Sequence, residues 1–306
     1  MSATKISWAD ATWNPIIGCS KCSPGCQNCY AERMARRLAG NPKTPQYKKV
    51  ACGCTGQWTG ETVLVESELD KPLHWRKPRV VAVSFMGDLF HDDADTDDVA
   101  AVLNVAAAAR KHRFLFCTKR ADIMAYRVGE CCERPLPNVW LGVSAENQRR
   151  LVERMTNVVP LFDAGWQVWV SAEPMLGPID FERPPGWYLS EPGPRLSWVV
   201  VGCESGPKRR PCRLEWIASV VEQCKAAGVP AYVKQAPVPR VSAKCLRGLR
   251  RDIRDGVARA MVDWDRGCEE FGSRVSREPS EWPEALRVRK YPWENEHDRT
   301  TKPLGN

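Results

Sequence analysis

Residues 79–93 read RVVAVSFMGDLFHDD, a β-branched apolar run that passes directly into polar and acidic residues. Further runs of this kind follow along the chain, spaced by about the length of one βα unit. They are RFLFCT (113–118), VWLGVS (139–144), QVWVS (167–171), SWVVVG (197–202) and VPAYVK (229–234). Near-continuous apolar strands are typical of parallel sheets that are covered on both faces. The pattern therefore predicts six parallel strands.

Helical patterns separate several of these runs and complete the βα repeat. Residues 96–111 begin with an Asp/Thr signal and are rich in alanine, residues 147–158 follow the third strand, and residues 214–227 stop before Gly228. Repeated βα units close most naturally into a full or partial (β/α) TIM-like barrel, with a doubly wound open sheet as the alternative. We therefore predict an α/β fold of the barrel type.

The repeat also divides the chain into three parts. Residues 1–78 precede it and contain a cysteine-rich loop, which we interpret as an N-terminal metal-binding region leading into the barrel. Residues 79–235 form the predicted barrel core. Residues 236–306 lose the βα rhythm and include the basic stretch RVSAKCLRGLRRDIRDGVAR (240–259), so we expect a basic C-terminal appendage.

Polar residues follow every predicted strand. The carboxyl ends of parallel barrel strands share one rim, where active sites are built. We expect the following residues to converge there: Asp88, Lys119, Arg120, Glu146, Asn147, Glu173, Glu204 and Lys234. Any one of them is as easily a helix N-cap or a first-turn acid. Their succession at six strand ends favours a site.

The densest cysteine cluster lies before the repeat, in TWNPIIGCSKCSPGCQNCYAERMARRLAG (12–40), where residues 30–38 read as a helix. Its thiols are Cys19, Cys22, Cys26 and Cys29. Zinc sites usually pair two CxxC knuckles from separate parts of a fold, whereas the trio CxxxCxxC in one loop leaves one iron of a [4Fe–4S] cluster open. The loop predicts a metal centre, with iron and zinc both open. Cys52-x-Cys54 is a candidate for a second, smaller site.

The composition excludes several classes of protein. Hydrophobic residues make up 43% of the chain, charged residues 27%, and the mean hydropathy is −0.42. No apolar run approaches the ~18 residues of a membrane span, and no signal peptide is recognisable. We expect a cytoplasmic protein with no membrane partner. Its fourteen cysteines then indicate metal or catalytic thiolates rather than disulfides.

The charge distribution points to an anionic partner. Lys and Arg number 45 against 37 Asp and Glu, a formal net charge of +8, and residues 1–50 hold eight basic side chains against Asp10 and Glu32. Trp13 and Trp58 lie in polar, loop-like sequence where a base could stack. A solvated surface and a buried core are the ordinary interpretations of such features. Together they favour a nucleic acid or nucleotide substrate.

The cysteine loop and the predicted barrel together resemble the radical S-adenosylmethionine superfamily. The chain is also similar to a phage- and prophage-associated family with a three-cysteine motif and unsettled activity. The similarity rests on Trp13-Asn14-Pro15, Met86-Gly87-Asp88-Leu89-Phe90-His91, Thr118-Lys119-Arg120, residues 139–147, Glu173-Pro174, Glu204-Ser205-Gly206-Pro207 and Val233-Lys234-Gln235. The radical superfamily implies a [4Fe–4S] cluster, S-adenosylmethionine as cosubstrate and an external electron donor.

The resemblance also assigns roles to individual residues, although the motif departs from the superfamily pattern. Asn28 stands where an aromatic residue usually precedes the last cysteine, and the smaller family implies Cys19 rather than Cys22 as the third ligand. The acidic and hydroxyl residues Asp88, Ser144, Glu146 and Glu173 are expected to bind the amino and ribose groups of the cosubstrate. One of the basic residues Lys119, Arg120 or Lys234 is expected to bind its carboxylate or a substrate phosphate. Asn147 completes the cosubstrate-binding set.

Three functions are compatible with these features. The leading hypothesis is a radical enzyme that modifies a nucleobase or nucleic acid, with Asp88, Glu173 and Glu204 as the catalytic acids. The second is a zinc-containing barrel that exchanges or modifies a nucleobase through a carboxylate nucleophile, Asp88 or Glu204, like a transglycosylase. The third is a noncatalytic, zinc-stabilised nucleic-acid-binding protein.

Overall fold

The computed structural model describes Thr4 and residues 6–182, 196–239 and 273–293. They form two compact units. Unit 1 contains the described residues up to Ser144 together with Glu153–Trp169, and unit 2 contains Ala145–Val152 and the described residues from Val170 to 293. In the described ranges, no helix is long and apolar enough to cross a membrane.

Most of the strands are parallel and alternate with helices. The strands are β1 (Ala11–Trp13), β2 (Ile16–Ile17), β3 (Val63–Leu64), β4 (Val80–Val83), β5 (Arg113–Thr118), β6 (Val139–Ser144), β7 (Gln167–Ala172), β8 (Trp198–Gly202), β9 (Ala231–Pro239) and β10 (Ser273–Ser276). The α-helices are α1 (Tyr30–Ala39), α2 (Tyr47–Val50), α3 (Glu66–Leu69), α4 (Thr96–Ala108), α5 (Ala121–Cys131), α6 (Gln148–Asn157), α7 (Val159–Asp163) and α8 (Leu214–Ala226).

The sheet of unit 1 has the order β1-β4-β5-β6, followed by the first residues of β7. The pairs β1–β4, β4–β5 and β5–β6 are all parallel. Every residue of β4 and of β6 is buried, as expected of strands covered on both faces. Helix α4 begins where the Asp95 carboxylate accepts the backbone N–H of Asp97 at 2.8 Å, a standard N-cap.

Unit 2 contains the end of β7 and the strands β8, β9 and β10. Strands β8 and β9 are parallel, whereas β9 and β10 are antiparallel. Aromatic rings of Trp198, Tyr232, Tyr291 and Trp293 pack together beside these strands, with centroids 5.2–6.2 Å apart. Residues 273–293 are thus packed on the sheet of this unit.

The predicted α/β class and the predicted strands are confirmed, while closure into a barrel stays a prediction. Several details of the sequence analysis were wrong. The predicted helix 96–111 ends three residues early at Ala108, and the helix predicted at 147–158 is followed directly by a second helix with Pro160 in its first turn. The last predicted strand runs on to Pro239, and helix α5 was missed.

The division of the chain into three parts stays a prediction. Position 78/79 lies inside unit 1, where β1 pairs with β4, and position 235/236 lies inside β9. Trp13 is buried in β1, with its ring 5.5 Å from that of Phe114, so the prediction that it stacks on a base was wrong. The basic stretch 240–259 lies outside the described residues.

Candidate functional site

The cysteine loop follows the carboxyl end of β1 and lies against the loop that follows β4. Because β1 and β4 are parallel neighbours, both loops leave the same edge of the sheet. Gly18 accepts the backbone N–H of Asp88 at 3.1 Å and donates its own to Met86 at 3.3 Å. A Cβ atom at Gly87 would lie 2.7 Å from the Gly18 carbonyl oxygen, so the two backbones can approach this closely only without a side chain there.

Asp88 joins the ends of two neighbouring strands through its buried carboxylate. The Oδ1 atom accepts hydrogen bonds from the Thr118 hydroxyl at 2.8 Å and from the backbone N–H of Phe90 at 3.1 Å. The Oδ2 atom accepts from Arg120 Nη1 at 3.1 Å. Thr118 ends β5 and Asp88 follows β4, so this carboxylate ties together the strand ends that the sequence analysis expected to meet.

Arg120 extends this network into the cysteine loop. Its Nη2 atom donates to the Ser20 hydroxyl at 2.7 Å and to the Ser20 carbonyl at 3.3 Å, and Nη1 lies 3.8 Å from the Cys19 sulfur. Burial alone would lower the pKa of Arg120, but the charges of Asp88 and Cys19 outweigh it and raise that pKa. The guanidinium therefore stays charged and binds the loop through two of its nitrogens.

His91 and Ser20 also belong to this site, and the sequence analysis missed both. The backbone N–H of Asp93 donates to His91 Nδ1 at 3.1 Å, which leaves the proton of the neutral ring on Nε2. That Nε2 atom lies 2.8 Å from the Ser20 hydroxyl. Burial and the charge of Arg120 lower the pKa of His91, so the neutral form is favoured. The signal for His91 was present in the motif residues 86–91, but nothing in the sequence pointed to its contact with Ser20.

The loop thiols have strongly different affinities for protons. Burial, followed by the charge of Asp88 and the neighbouring thiols of Cys29 and Cys26, raises the pKa of Cys19 to about 12 against the lowering effect of Arg120. A hydrogen bond from the Cys22 thiol lowers the pKa of Cys26 to about 4, with Lys119 contributing, and the same bond raises the pKa of Cys22. Cys22 and Cys26 thus share one proton.

Soft metal centres fit this set of donors. In the described ranges, no three His, Cys, Asp or Glu side chains are already arranged to hold a metal ion. The thiols of Cys26 and Cys29 nevertheless act electrostatically on Cys19, and a cation at the loop would oppose the burial and the repulsion that keep Cys19 protonated. Thiolates select zinc and iron–sulfur clusters over hard cations.

In unit 2, two acids at strand ends are already paired with basic side chains. Glu173 follows β7 and binds Lys234 of β9 at 3.0 Å, with its Oε1 atom 2.6 Å from where a Cβ at Gly202 would stand. Glu204 follows β8 and accepts from Arg210 Nη2 at 2.6 Å, from Nε at 3.0 Å and from the backbone N–H at 2.7 Å. The sequence analysis did not identify Arg210, because its contact with Glu204 depends on the turn that separates them.

The remaining predicted residues are placed as follows. Asn147 accepts the backbone N–H of Arg150 at 3.1 Å and so caps the start of α6, the ordinary interpretation that we weighed for single strand-end residues. Glu146 is fully buried, and its carbonyl accepts from the backbone of Leu176 at 2.7 Å. Ser144 is buried at the end of β6.

Comparison with known proteins assigns a family. Residues 3–251 match the sequence model of a family described as a protein of unknown function (DUF5131). The chain belongs to this family. No curated protein and no solved structure matches this chain.

The site residues predicted for this DUF5131 chain are divided between the two units. Unit 1 contains Cys19, Cys22, Cys26, Cys29, Asp88, Lys119, Arg120 and Ser144, and unit 2 contains Glu146, Asn147, Glu173, Glu204 and Lys234. Unit 1 brings Asp88, Arg120 and Cys19 into one hydrogen-bonded network. Unit 2 brings Glu173 and Lys234 together. The convergence of all of them on one rim stays a prediction.

Proposed function

We propose that this protein is an iron–sulfur enzyme of the radical S-adenosylmethionine type that modifies a nucleobase or nucleic acid. The observation that carries the proposal is the hydrogen-bonded network from Asp88 through Arg120 to the Cys19 sulfur and the Ser20 hydroxyl. It attaches a loop of four cysteines to the carboxyl ends of parallel strands, where α/β proteins build their active sites. In this proposal the strands form part of a (β/α) barrel.

In this proposal, the residues of the cysteine loop and the residues at the strand ends have different roles. Cys19, Cys26 and Cys29 are the proposed ligands, since Cys22 is exposed and its thiol donates a hydrogen bond to Cys26. These three thiolates would hold a [4Fe–4S] cluster, which would supply the one-electron reduction of S-adenosylmethionine, with an external donor as the electron source, methionine and a 5′-deoxyadenosyl radical as the products of S–C5′ cleavage, and hydrogen-atom abstraction from the substrate as the result. Arg120 orients the loop and offsets thiolate charge.

The geometry gives less support to the zinc-containing nucleobase-exchange enzyme. A carboxylate nucleophile needs a free oxygen aimed at the substrate. Both oxygens of Asp88 and both oxygens of Glu204 accept hydrogen bonds from the protein, including bonds from arginine side chains. These contacts stabilise the carboxylates as structural anchors of their loops.

The metal content tests the proposal directly. Anaerobically prepared protein should contain about four irons and four sulfides per chain, as one cubic cluster requires. Cys19→Ala, Cys26→Ala and Cys29→Ala should each lose the iron, whereas Cys22→Ala and the control Cys131→Ala, on helix α5, should keep it. Stoichiometric zinc without sulfide would overturn the proposal, and so would iron retained in all four loop variants.

Cosubstrate cleavage provides the second measurement. Dithionite-reduced protein should convert S-adenosylmethionine to 5′-deoxyadenosine and methionine. Asp88→Asn keeps the size of the side chain and part of its hydrogen bonding, so it should keep its iron while 5′-deoxyadenosine formation falls. Asp88→Ala is a poorer choice, because it removes the buried partner of Arg120, leaves only the exposed Asp92 to pair with it and threatens the fold. Iron-loaded protein that forms no 5′-deoxyadenosine would contradict the radical chemistry.

A further inference from the structure

Two similar basic segments precede neighbouring strands of unit 1. Arg76-Lys77-Pro78-Arg79 leads into β4, and Arg110-Lys111-His112-Arg113 leads into β5. Neither segment contains an acidic residue. The βα repeat does not require two basic segments, because the chain needs only a turn before each strand begins.

The sheet register places the two segments side by side. Val80 is the partner of Arg113 in the parallel β4–β5 pair, and the backbone N–H of Arg113 donates to the Arg79 carbonyl at 2.9 Å. This is the amino end of both strands. Asp88 and Arg120 follow the carboxyl ends of the same strands, so the basic segments lie at the opposite edge of the sheet from the cysteine loop.

A cavity of about 360 Å³ opens between these segments. Its lining contains basic side chains from both segments and no Asp or Glu. We call it the basic pocket, and it is lined by Pro78, Arg79, Arg110, Lys111, His112, Arg113, Pro137, Asn138, Trp140 and Gln167. Such a concentration of one sign of charge around a concave surface attracts anions.

Two buried nitrogens at the pocket lack a hydrogen-bond partner among the described residues. His112 is fully buried and donates from Nε2 to the Pro72 carbonyl at 3.0 Å, while its Nδ1 atom has no partner. The Nε atom of Arg79 also has none, and its guanidinium lies 5.4 Å from the centre of the Trp75 ring. Buried polar groups are nearly always satisfied, so the unsatisfied nitrogens of these two lining residues point to a group that the described residues do not supply.

We propose that the basic pocket binds phosphate groups, carried either by a nucleotide or by the backbone of a nucleic-acid strand. Planar guanidinium groups bind phosphate oxygens in pairs. Clustered Arg and Lys side chains also match the multiple negative charge of a phosphate group better than the single negative charge of a carboxylate. A phosphate in the pocket lies among the basic side chains of both segments. This site does not depend on the cysteine loop or on the proposed radical chemistry.

Binding measurements with two probes test the proposal and distinguish the two sources of phosphate. Full-length protein is titrated with pyrophosphate by calorimetry and with a fluorescent single-stranded oligonucleotide by anisotropy. Binding of pyrophosphate alone assigns a nucleotide ligand, and tighter binding of the oligonucleotide assigns a backbone. Arg110→Gln/Lys111→Gln removes two exposed charges and should weaken either probe by about tenfold or more, because bonds to charged groups are the strong ones.

A charge-matched control separates the pocket from a general effect of net charge. Arg149→Gln/Lys225→Gln removes two positive charges from exposed positions of α6 and α8 and should leave the affinity within about twofold. Absence of binding by both probes at low salt, or an equal loss in the two variants, would refute the proposal. Neither of these two refuting results depends on the iron content of the protein, so neither of them tests the proposed radical chemistry.

A spectroscopic readout reports on the pocket itself. The chain has four histidines, and His112 is the one in the lining of the basic pocket. Its imidazole ¹⁵N signals should shift on addition of pyrophosphate in the parent protein and move much less in Arg110→Gln/Lys111→Gln. Imidazole signals of His112 that stay unchanged while pyrophosphate binds would place the anion elsewhere and overturn the assignment.

Discussion

Arg120 contributes to the site differently from the role that its sequence motif suggests. The resemblance to radical enzymes assigned it to a carboxylate or phosphate. In the structure its Nη1, Nη2 and Nε atoms donate to Asp88, Ser20 and Asp92 respectively, at 2.7–3.3 Å. The side chain is buried, so its charge acts on the loop and on Cys19 rather than on a ligand in solution.

The second cysteine pair offers a test at the scale of one residue. The sulfurs of Cys52 and Cys54 lie 2.8 Å apart on a turn of unit 1. A hydrogen bond from the Cys54 thiol, supported by Thr55, lowers the pKa of Cys52 to about 6. Because the thiolate is the reactive form, Cys52 should be alkylated by iodoacetamide near neutral pH well before the buried Cys224, whose pKa burial raises to about 12.

Removal of the neighbouring thiol should reverse this effect. In Cys54→Ala the hydrogen bond is lost, so the pKa of Cys52 rises toward 9.0 and its alkylation near neutral pH slows. The measurement is the pH profile of Cys52 modification by peptide mass spectrometry, with Cys131→Ala as the control. A midpoint that is the same in the parent and in Cys54→Ala would show that the pair does not share a proton.

At the scale of elements, the position of the cysteine loop depends on a close backbone contact. Gly18 has a φ of +97°, and a Cβ atom there would stand 2.2 Å from the Glu61 carbonyl oxygen. Gly87 has the same kind of contact with Gly18 itself. The loops after β1 and β4 are therefore in direct backbone contact, which holds the thiols close to Asp88.

Gly87→Ala tests this contact. The added methyl group should displace the loop and lower the free energy of unfolding by about 1–3 kcal/mol, as overpacking does. Iron content should fall as well if the loop holds the cluster. Gly129→Ala is the matched control: nothing lies within 4 Å of its Cβ position on helix α5, so it should stabilise the protein by about 0.5–1 kcal/mol. Denaturant unfolding of both variants is the measurement, and equal stabilities would show that the two loops tolerate separation.

At the scale of the whole molecule, the N-terminal segment is part of the core of unit 1. Trp13 is 1% exposed, contacts Phe114 of β5 and donates from its ring nitrogen to the Glu68 carbonyl at 2.8 Å. Trp8 is buried against Phe85 and Trp169. These contacts exclude a separate N-terminal domain that ends before β4.

Trp13→Ala should therefore destabilise the fold of unit 1 as a core substitution does. We expect a loss of about 3–5 kcal/mol in the free energy of unfolding, the usual cost of truncating a buried tryptophan. Tyr126→Ala removes a ring that is 66% exposed on α5 and should change the stability by less than about 0.5 kcal/mol. Chemical denaturation checks both values. A small loss for Trp13→Ala would mean that β1 is dispensable to the sheet.

The sequence by itself determined the α/β class, the six main strands and the polar character of their ends. These are local properties, because an apolar run of strand length and its following turn can be recognised within a few residues. Three-residue β1 carries too little pattern to stand out, and its place in the sheet depends on pairing with β4, about seventy positions along the chain.

Only the tertiary structure decided which polar residues meet. The thiol, hydroxyl, imidazole and guanidinium groups of Cys19, Ser20, His91 and Arg120 come from loops after three different strands, and their contacts arise from strand order and register rather than from spacing along the chain. The basic pocket has the same origin. Its two basic segments are visible in the sequence as ordinary charge runs, and the parallel register of β4 and β5 turns them into one lining. Long-range strand pairing is the physical reason in both cases, because it brings together groups that are far apart along the chain. The local sequence around each group does not predict its contact with the others.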